Sequence, residues 1–366
     1  MISFFSHQHH LHAPEYEFSR GERVACFESP ERADFVHAAL LAAGHEIRTP
    51  NVDSTAVLQQ VHTPRYLAFL ESAWAQWLAV DVGNATRQPF PSVWPVRTLR
   101  SDLEPQNFTA KLGLYSMDNG SPLVAGTWAA AKAGADAAAS AAELIASGSP
   151  QKSGEKVAPQ AVPQAVFCAT RPPGHHAGAD FMGGYCFLNN AAVAAQTLLN
   201  QGHNHSHNQG FSKVAILDVD YHHGNGTQSI FYDRADVLFV SIHGDPCSEY
   251  PFYLGHADEL GEGAGQECNL NLPLPAGSSK QVWFAALATA CTKIKAHGSQ
   301  ALVVSLGLDT FADDPISTFA LQSSDFVELG EQLKQLGLPT VFILEGGYAA
   351  KELGVNAANV LAGFSA

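Results

Sequence analysis

The sequence predicts an α/β fold, in which one doubly wound parallel β-sheet is flanked by helices. Short apolar segments that are nearly free of polar residues are typical of strands buried on both faces of such a sheet. Helical segments alternate with them, as in a doubly wound domain. The predicted strands span residues 165–170, 213–220, 237–243, 301–307 and 340–345. With 366 residues, 46% of them hydrophobic, we expect residues 1–366 to form a single domain.

Helical patterns fill the intervals between the strands and both ends of the chain. They span residues 31–43, 64–79, 126–146, 188–199, 282–296, 325–336 and 351–361. Two segments interrupt this order, the polar segment 151–163 and the long segment 80–122. The first is predicted to be a surface loop. The second is longer than about 12–15 residues, the length beyond which loops are usually functional or disordered. Its tryptophan and arginines favour an ordered contact surface, because both residue types are enriched in interfaces.

Composition and charge narrow the possible partners and the compartment. The net charge of −15 disfavours nucleic acid as a partner, because nucleic acid binds to basic patches. It suits a cationic substrate, although many cytosolic proteins are simply acidic. Six scattered cysteines without a Cys-x-x-Cys pair indicate a reducing compartment. The N-terminus does not resemble a signal peptide, and the apolar segment 125–146 carries Lys132, Asp136 and Glu143. We therefore expect a cytoplasmic protein that binds neither nucleic acid nor a membrane.

The segment Leu-Asp-Val-Asp-Tyr-His-His-Gly-Asn-Gly at 217–226 is the strongest functional signal in the sequence. Asp218, Asp220 and His222 occur at every second residue, so in a strand their side chains point to one side. They stand where a predicted strand ends, at the edge where open α/β sheets place their sites. Three polar groups on one face of an apolar strand are costly without a partner such as a divalent ion. The alternative is a hydrogen-bonded structural network.

Asp309, which follows the predicted strand 301–307, is the natural third ligand. Two aspartates and one histidine leave a position open for water, as catalytic zinc requires.

Histidines 175 and 176 follow the strand 165–170 in an Arg-Pro-Pro-Gly-His-His segment. A histidine suits the proton transfers of hydrolysis because its unperturbed pKa is about 6.5. Tyr348, after Glu345-Gly-Gly, could donate a hydrogen bond to an oxyanion.

In this order, the four motifs resemble those of the histone deacetylase family over nearly the whole chain, and especially its bacterial acetylpolyamine amidohydrolase branch. Further similar segments are Cys-Phe-Glu-Ser-Pro-Glu-Arg at 26–32, Trp-Pro-Val-Arg at 94–97, Gly-Gly-Tyr-Cys-Phe-Leu-Asn-Asn at 183–190 and His-Gly-Asp-Pro at 243–246. The resemblance implies the arginase/deacetylase fold. It also implies zinc-dependent hydrolysis of the acetamide of small acetylated polyamines or diamines, such as acetylputrescine and acetylcadaverine.

The resemblance assigns a role to each matching residue. It implies one zinc ion bound by Asp220, His222 and Asp309. His176 is the expected general base and acid, and His175 its charge-stabilising neighbour, hydrogen-bonded to Asp218. Asn225 is the expected partner of His176, and Tyr348 the residue that stabilises the transition state. A structural potassium ion is expected at Asp218, Asp220, His222, Ser241 and Ile242, largely through main-chain oxygens.

The resemblance also bears on substrate recognition and assembly. Gly184, Tyr185 and Tyr250 are expected to form the substrate channel. Segment 80–122 coincides with an insertion that, in the polyamine branch, packs across a dimer and narrows the site, so we expect a homodimer. Candidate acids for the distal amine are Glu17, Glu104 and Asp118, although isolated acidic residues are most often merely solvated.

Alternatives remain at this stage. One is an acetyl-lysine protein deacetylase. Another is an arginase-like hydrolase with two manganese ions, since the spacing of Asp309 and Asp313 resembles part of the arginase pattern. Against it, the positions where a second ion needs carboxylates carry Tyr221, His223 and Asn225. A non-catalytic binding protein is a third. The histidine groups 7, 9, 10, 12 and 203, 205, 207 are expected to lie in surface loops, although the second group could bind a metal ion and individual members of the first could line a cleft.

Overall fold

The structure is a computed structural model that describes residues 1–19, 21–96, 98–147, 163–204 and 211–366, except the side chains of 202–204. Almost all of the predicted loop 151–163 therefore lies outside the described residues. The same holds for the side chains of His203, His205 and His207, so the expectation for that stretch stays a prediction.

Eight of the described strands form one sheet in which every neighbouring pair is parallel. The strands of the chain are β1 Ile2–Phe4, β2 Glu17–Ser19, β3 Glu22–Val24, β4 Glu46–Arg48, β5 Ala165–Cys168, β6 Val214–Asp218, β7 Val237–Gly244, β8 Asn269–Leu274, β9 Ala301–Leu306 and β10 Thr340–Leu344. The sheet order is β4-β1-β5-β10-β9-β6-β7-β8, and β2 and β3 form a separate antiparallel hairpin.

Helices surround this sheet. They are α1 Glu31–Ala42, α2 Thr55–Val61, α3 Pro64–Val80, α4 Phe108–Leu114, α5 Thr127–Ala146, α6 Asn190–Asn204, α7 Asn225–Phe231, α8 Lys280–His297, α9 Asp325–Lys334 and α10 Ala350–Ser365. Short 3-10 helices span His7–Leu11, Val82–Thr86 and Gly263–Gly265.

Successive strand residues face opposite layers of the core. Ile216 packs in the layer formed with α2, α3, α5 and α6, whereas its neighbour Leu217 packs in the layer formed with α1, α8, α9 and α10. Both are fully buried. Because each strand is covered on both faces, apolar residues occupy successive positions, which is the pattern that predicted the strands. The predicted single-domain α/β architecture with a parallel sheet is confirmed.

Several elements differ from the sequence-based expectation. The strands β1, β4 and β8 were not predicted, because the three-residue strands β1 and β4 are too short to show a period and the edge strand β8 alternates polar and apolar residues. Within segment 80–122, α4 was also missed. The Asn107 side chain caps it by accepting from the amide of Ala110, and Phe108 and Leu112 are its buried face.

Candidate active site

The loops that carry the predicted functional residues meet at one edge of the sheet. Strands β5, β10, β9 and β6 are consecutive neighbours, and all are parallel. Their carboxyl ends therefore open on the same side, where open α/β sheets form their sites. His175 and His176 follow β5, Tyr348 follows β10, Asp309 follows β9, and Asp220 and His222 follow β6.

Asp220, His222 and Asp309 bring three possible metal ligands together, with their ligand atoms all within 4.8 Å of one another. His222 Nδ1 lies 3.1 Å from Asp309 Oδ2 and 3.4 Å from Asp220 Oδ1. Strand β6 ends at Asp218, however, so the expectation that strand alternation alone aligns Asp218, Asp220 and His222 is wrong. The turn after β6 directs Asp220 and His222 instead. The amide of His222 donates to Asp220 Oδ1 at 2.9 Å and thereby fixes that turn.

The chemistry of this group fits a divalent cation. Asp220 and Asp309 are both fully buried. Burial, together with the charge of Asp220, raises the pKa of Asp309 to about 8. Two ionised carboxylates this close inside a protein require a compensating cation. Gly346 closes the site from the side of β10, and a Cβ there would lie 2.6 Å from Asp220 Oδ2 and 2.8 Å from Asp309 Oδ2.

His175 lies between two carboxylates. Its Nδ1 is 3.0 Å from Asp218 Oδ2, so the predicted hydrogen bond is present, and its Nε2 is 3.7 Å from Asp220 Oδ1. Burial opposes protonation of this ring, but the charges of Asp220 and Asp218 outweigh it and raise its pKa to about 10. His175 is therefore an imidazolium at neutral pH.

His176 has the opposite protonation state. Burial lowers its pKa well below the ordinary value, and the positive charges of His175 and His222 lower it further. Its Nδ1 lies 2.7 Å from Asn225 Oδ1, the contact that the sequence predicted. Because an amide oxygen only accepts, Nδ1 carries the proton and the lone pair of Nε2 remains available. The ring is therefore held as a neutral base.

A cavity of about 220 Å³ leads to this group. His176, His222, Tyr185, Tyr250 and Tyr348 supply its aromatic lining. This volume is below the roughly 300–1,000 Å³ of drug-sized sites, so it suits a slender ligand. Gly184 lets the backbone approach, because a Cβ there would lie 2.9 Å from His176 Cγ and 3.0 Å from the Tyr250 hydroxyl.

Two carboxylates lie along the same cavity. The Tyr185 hydroxyl donates to Glu17 Oε1 at 2.9 Å, and the Tyr250 hydroxyl donates to Asp118 Oδ2 at 2.6 Å. Burial raises the pKa of each carboxyl. The expectation that these acids are merely solvated is therefore wrong for Glu17 and Asp118. Glu104 does not line the cavity, since it pairs with Lys111 Nζ at 2.7 Å and accepts from Tyr115.

Comparisons with known proteins agree with this geometry. The sequence model of the family "Histone deacetylase domain" matches residues 26–364. The chain belongs to the histone deacetylase family. It is 48% identical to "Acetylpolyamine amidohydrolase 2" of Pseudomonas aeruginosa, over 100% of this chain and 98% of that protein. It is 42% identical to "Acetylpolyamine amidohydrolase" of Mycoplana ramosa, over 99% of each chain. A crystal structure of the acetylpolyamine aminohydrolase of Burkholderia pseudomallei superposes with a TM-score of 0.89, at 37% identity, over 100% of this chain and 99% of that one.

The family resemblance did not by itself show that Arg32, in helix α1, supports the segment that carries Tyr348. Arg32 is buried, and its guanidinium donates to the carbonyls of Glu345 and Gly347, each at 2.6 Å. It also lies 4.7 Å above the ring of Tyr348. Glu28 Oε1 lies between two cations, at 2.8 Å from both Arg32 Nη1 and Arg171 Nε, and offsets part of their charge. The sequence segment 26–32 contained both residues but gave no sign of this contact.

The loop of the paired histidines is held by Glu345. Its Oε2 accepts from the amides of Gly174 at 2.6 Å and His175 at 3.2 Å. Burial raises the pKa of Glu345 to about 7. Asp314 has a similar function for Tyr348, since Asp314 Oδ2 accepts from the amide of Tyr348 at 2.7 Å. Neither role followed from the sequence motifs.

The remaining predicted site residues are also placed by the structure. Ser241 and Ile242 lie in β7, and Ser241 is the register partner of Asp218 in β6. Asp313 is exposed, in contrast to the buried Asp309, so it does not extend the buried ligand group as an arginase-like second metal would need.

Within the described residues, none of the helices combines the length and apolar character needed to cross a membrane.

Proposed function

We propose that this protein hydrolyses the acetamide of small acetylated diamines and polyamines to the amine and acetate. One observation carries the proposal. A small cavity is lined both by His222 of the group Asp220, His222 and Asp309 and by the carboxylates of Glu17 and Asp118. Such a cavity can hold an uncharged acetamide at its inner end and a cationic amine near its acids. The full-length relatives that carry the name acetylpolyamine amidohydrolase support the same substrate class.

Asp220, His222 and Asp309 would hold one divalent ion, for which zinc suits a ligand set of one imidazole and two carboxylates. When bound, zinc polarises the acetamide carbonyl and makes water acidic enough to act as a nucleophile near neutral pH. Asp218, Asp220, His222, Ser241 and Ile242 would hold a structural potassium ion. The pairing of Asp218 with Ser241 across β6 and β7 supports this second ion.

His176 would transfer the protons. As a neutral ring with its Nδ1 proton on Asn225, it accepts a proton from the attacking water at Nε2. It then delivers that proton to the nitrogen of the leaving amine as the C–N bond breaks. Burial, and the imidazolium of His175 fixed between Asp218 and Asp220, keep the pKa of His176 low, so the transferred proton is readily passed on.

Tyr348 would stabilise the oxyanion that forms as water attacks the carbonyl carbon. Burial keeps its pKa well above the ordinary value, so the phenol stays neutral and can donate. Arg32 and Asp314 hold its backbone and ring in place and so prepare this donor before the substrate arrives.

The assembly and the compartment are part of the same proposal. Segment 80–122 carries large apolar side chains in contact with solvent: Val82, Val93, Val96, Leu99 and Leu103 are each at least half exposed. A surface of this kind is typical of an interface, and it supports a homodimer formed through this segment. The six cysteines form no disulfide, which is compatible with a cytoplasmic protein.

The substrate panel of acetylputrescine, acetylcadaverine, acetylspermidine and an acetyl-lysine peptide tests the proposal. We expect kcat/KM to be higher for the small amines than for the peptide, because the cavity has a volume of only about 220 Å³. Glu17→Gln and Asp118→Asn should each raise KM for acetylputrescine while leaving KM for the uncharged N-butylacetamide nearly unchanged. A preference for the peptide would contradict the proposed substrate class. So would a rise in KM for N-butylacetamide as large as the rise for acetylputrescine in these variants.

A further inference from the structure

A second group of possible metal ligands lies apart from the active site, near the N-terminus. His9 and His10 belong to the 3-10 helix His7–Leu11, and Asp34 lies in the first turn of α1. One ligand atom from each of the three residues lies within 4.8 Å of the others. Within the described part of the chain, this group and Asp220–His222–Asp309 are the two sets with such convergence.

The two imidazoles converge on one carboxylate oxygen. His10 Nε2 is 3.1 Å and His9 Nε2 is 3.4 Å from Asp34 Oδ1. The ring centroids of His9 and His10 are only 4.0 Å apart, inclined at 35°. Two adjacent imidazoles directed at one acid form an incomplete coordination shell, because zinc is usually bound by nitrogen and oxygen ligands in tetrahedral arrangement.

The burial of His9 is the observation that points to a ligand. Its side chain is only 3% exposed, yet neither ring nitrogen has a hydrogen-bond partner. A buried polar nitrogen without a partner is costly, and such groups in folded proteins call for an explanation. Burial, followed by the charge of His10, lowers the pKa of His9 to about 4, so at pH 7 the ring is neutral and has a nitrogen lone pair available for a metal ion. Histidines 7, 9, 10 and 12 were expected in a surface loop in which individual members could line a cleft; His7 and His10 are exposed, whereas His9 and His12 are buried.

The neighbouring histidines do not share this feature. His12 Nδ1 is 3.0 Å from the Thr127 hydroxyl, so His12 has a partner within the fold. His7 is exposed and lies against Phe5, with ring centroids 5.0 Å apart. The incomplete shell is therefore specific to His9, His10 and Asp34.

We propose that His9, His10 and Asp34 bind a second divalent ion of the zinc type, with water completing its coordination. The open side is towards solvent, since the side chains of His10 and Asp34 are 48% and 43% exposed. The site joins the 3-10 helix to α1 and has no reacting group beside it, so its role is structural. It is independent of the proposed function of the active site.

The position of this site gives it a defined consequence. The carbonyls of His9 and His12 each accept from Arg171 Nη1 at 2.6 Å, and Arg171 begins the segment that carries His175 and His176. On the other side, α1 contains Arg32, which holds the carbonyls of Glu345 and Gly347. An ion that fastens His9 to Asp34 therefore ties together two supports of the active site.

Equilibrium dialysis against ZnCl₂, with zinc measured by elemental analysis, tests the site. The starting protein is Asp220→Ala, which removes a ligand of the active-site group. We expect it to retain a zinc-binding site that weakens by about 10–100-fold or more when His10→Ala is added, since loss even of an outer-shell partner has an effect of that size. His7→Ala in the same background is the matched control, from the same 3-10 helix, and should bind zinc as before.

All of these variants keep histidines 203, 205 and 207, so zinc bound there cancels in the comparison. Equal zinc binding in the His10→Ala and His7→Ala proteins would overturn the proposal. A second measurement uses the chain with an intact active site, in which His10 is exposed and its replacement does not disturb the core. Because zinc at the intact active site stabilises all three proteins, added zinc should raise the thermal midpoint of the wild-type and His7→Ala proteins by more than that of His10→Ala. An equal rise in all three would also overturn it.

Discussion

Asn225 offers the sharpest perturbation of the proposed base. Its Oδ1 accepts from His176 Nδ1 at 2.7 Å, and its Nδ2 lies 3.1 Å from Met117 Sδ. Asn225→Asp keeps the size of the side chain and the acceptor of this hydrogen bond but adds a negative charge next to the ring. Asn225→Leu removes the acceptor without adding charge. The two variants therefore separate the electrostatic effect from the orienting effect.

The size of the electrostatic effect follows from the distance. An opposite charge within about 4–6 Å shifts a pKa by about 1–3 units, and here the acceptor is 2.7 Å away. In the wild type, burial and the positive charges of His175 and His222 hold the pKa of His176 well below 6.5. Since the neutral ring is the active form, activity is present above this pKa and is lost as pH falls through it. Asn225→Asp raises the pKa, so the acid limb moves to higher pH by about 1–3 units.

The assay is the pH dependence of kcat/KM on acetylputrescine, with the released amine measured directly. We expect the acid limb of Asn225→Asp to move upward, whereas Asn225→Leu should lower kcat by about 10–100-fold without such a movement. An unchanged acid limb in Asn225→Asp would refute the assignment of His176 as the base. A movement to lower pH would refute it equally.

Three further perturbations test the supports of the site. Arg32→Met should lower the free energy of unfolding by about 3–5 kcal/mol in urea titrations, because the buried carbonyls of Glu345 and Gly347 both lose their donor and Glu28 loses one of its two cations; a change below about 1 kcal/mol would contradict this. Gly346→Ala should lower kcat/KM by about 100-fold and reduce the metal content, since its Cβ displaces Asp220. Gly83→Ala, in the exposed 3-10 helix Val82–Thr86, is its control and should match the wild type. Removal of the divalent ion with a chelator should abolish turnover, and added zinc should restore it; activity that survives with no metal left would exclude the proposed site.

The sequence was most informative where the chemistry lies close together along the chain. Asp218, Asp220 and His222 stand within five residues at the end of an apolar strand, so both the strand and the site edge could be inferred from one segment. Asp309 and Tyr348 follow other strands, and a parallel sheet brings the carboxyl ends of its strands to one edge. The predicted contacts of His175 with Asp218 and of His176 with Asn225 are both present for this reason.

Contacts that depend on the packing of distant segments could not be predicted in this way. Arg32 lies more than 300 positions before the carbonyls of Glu345 and Gly347, and nothing in the local pattern shows that a surface-type side chain is buried. Asp118 belongs to a segment without a regular period, and its position beside Tyr250 depends on how that segment returns to the cavity. Burial of His9 was missed for the same reason, because polar composition alone indicated a solvated loop.

Tyr348→Phe tests the central claim most directly, because it removes one hydroxyl and no metal ligand. Proton NMR of acetylputrescine incubated with zinc-loaded protein would follow acetate and putrescine in the same sample, with bound zinc measured in parallel. We expect the wild type to release both products in equal amounts, and Tyr348→Phe to keep its zinc while losing nearly all turnover. No acetate from the wild type, or full turnover by Tyr348→Phe, would contradict the proposed hydrolysis at this site.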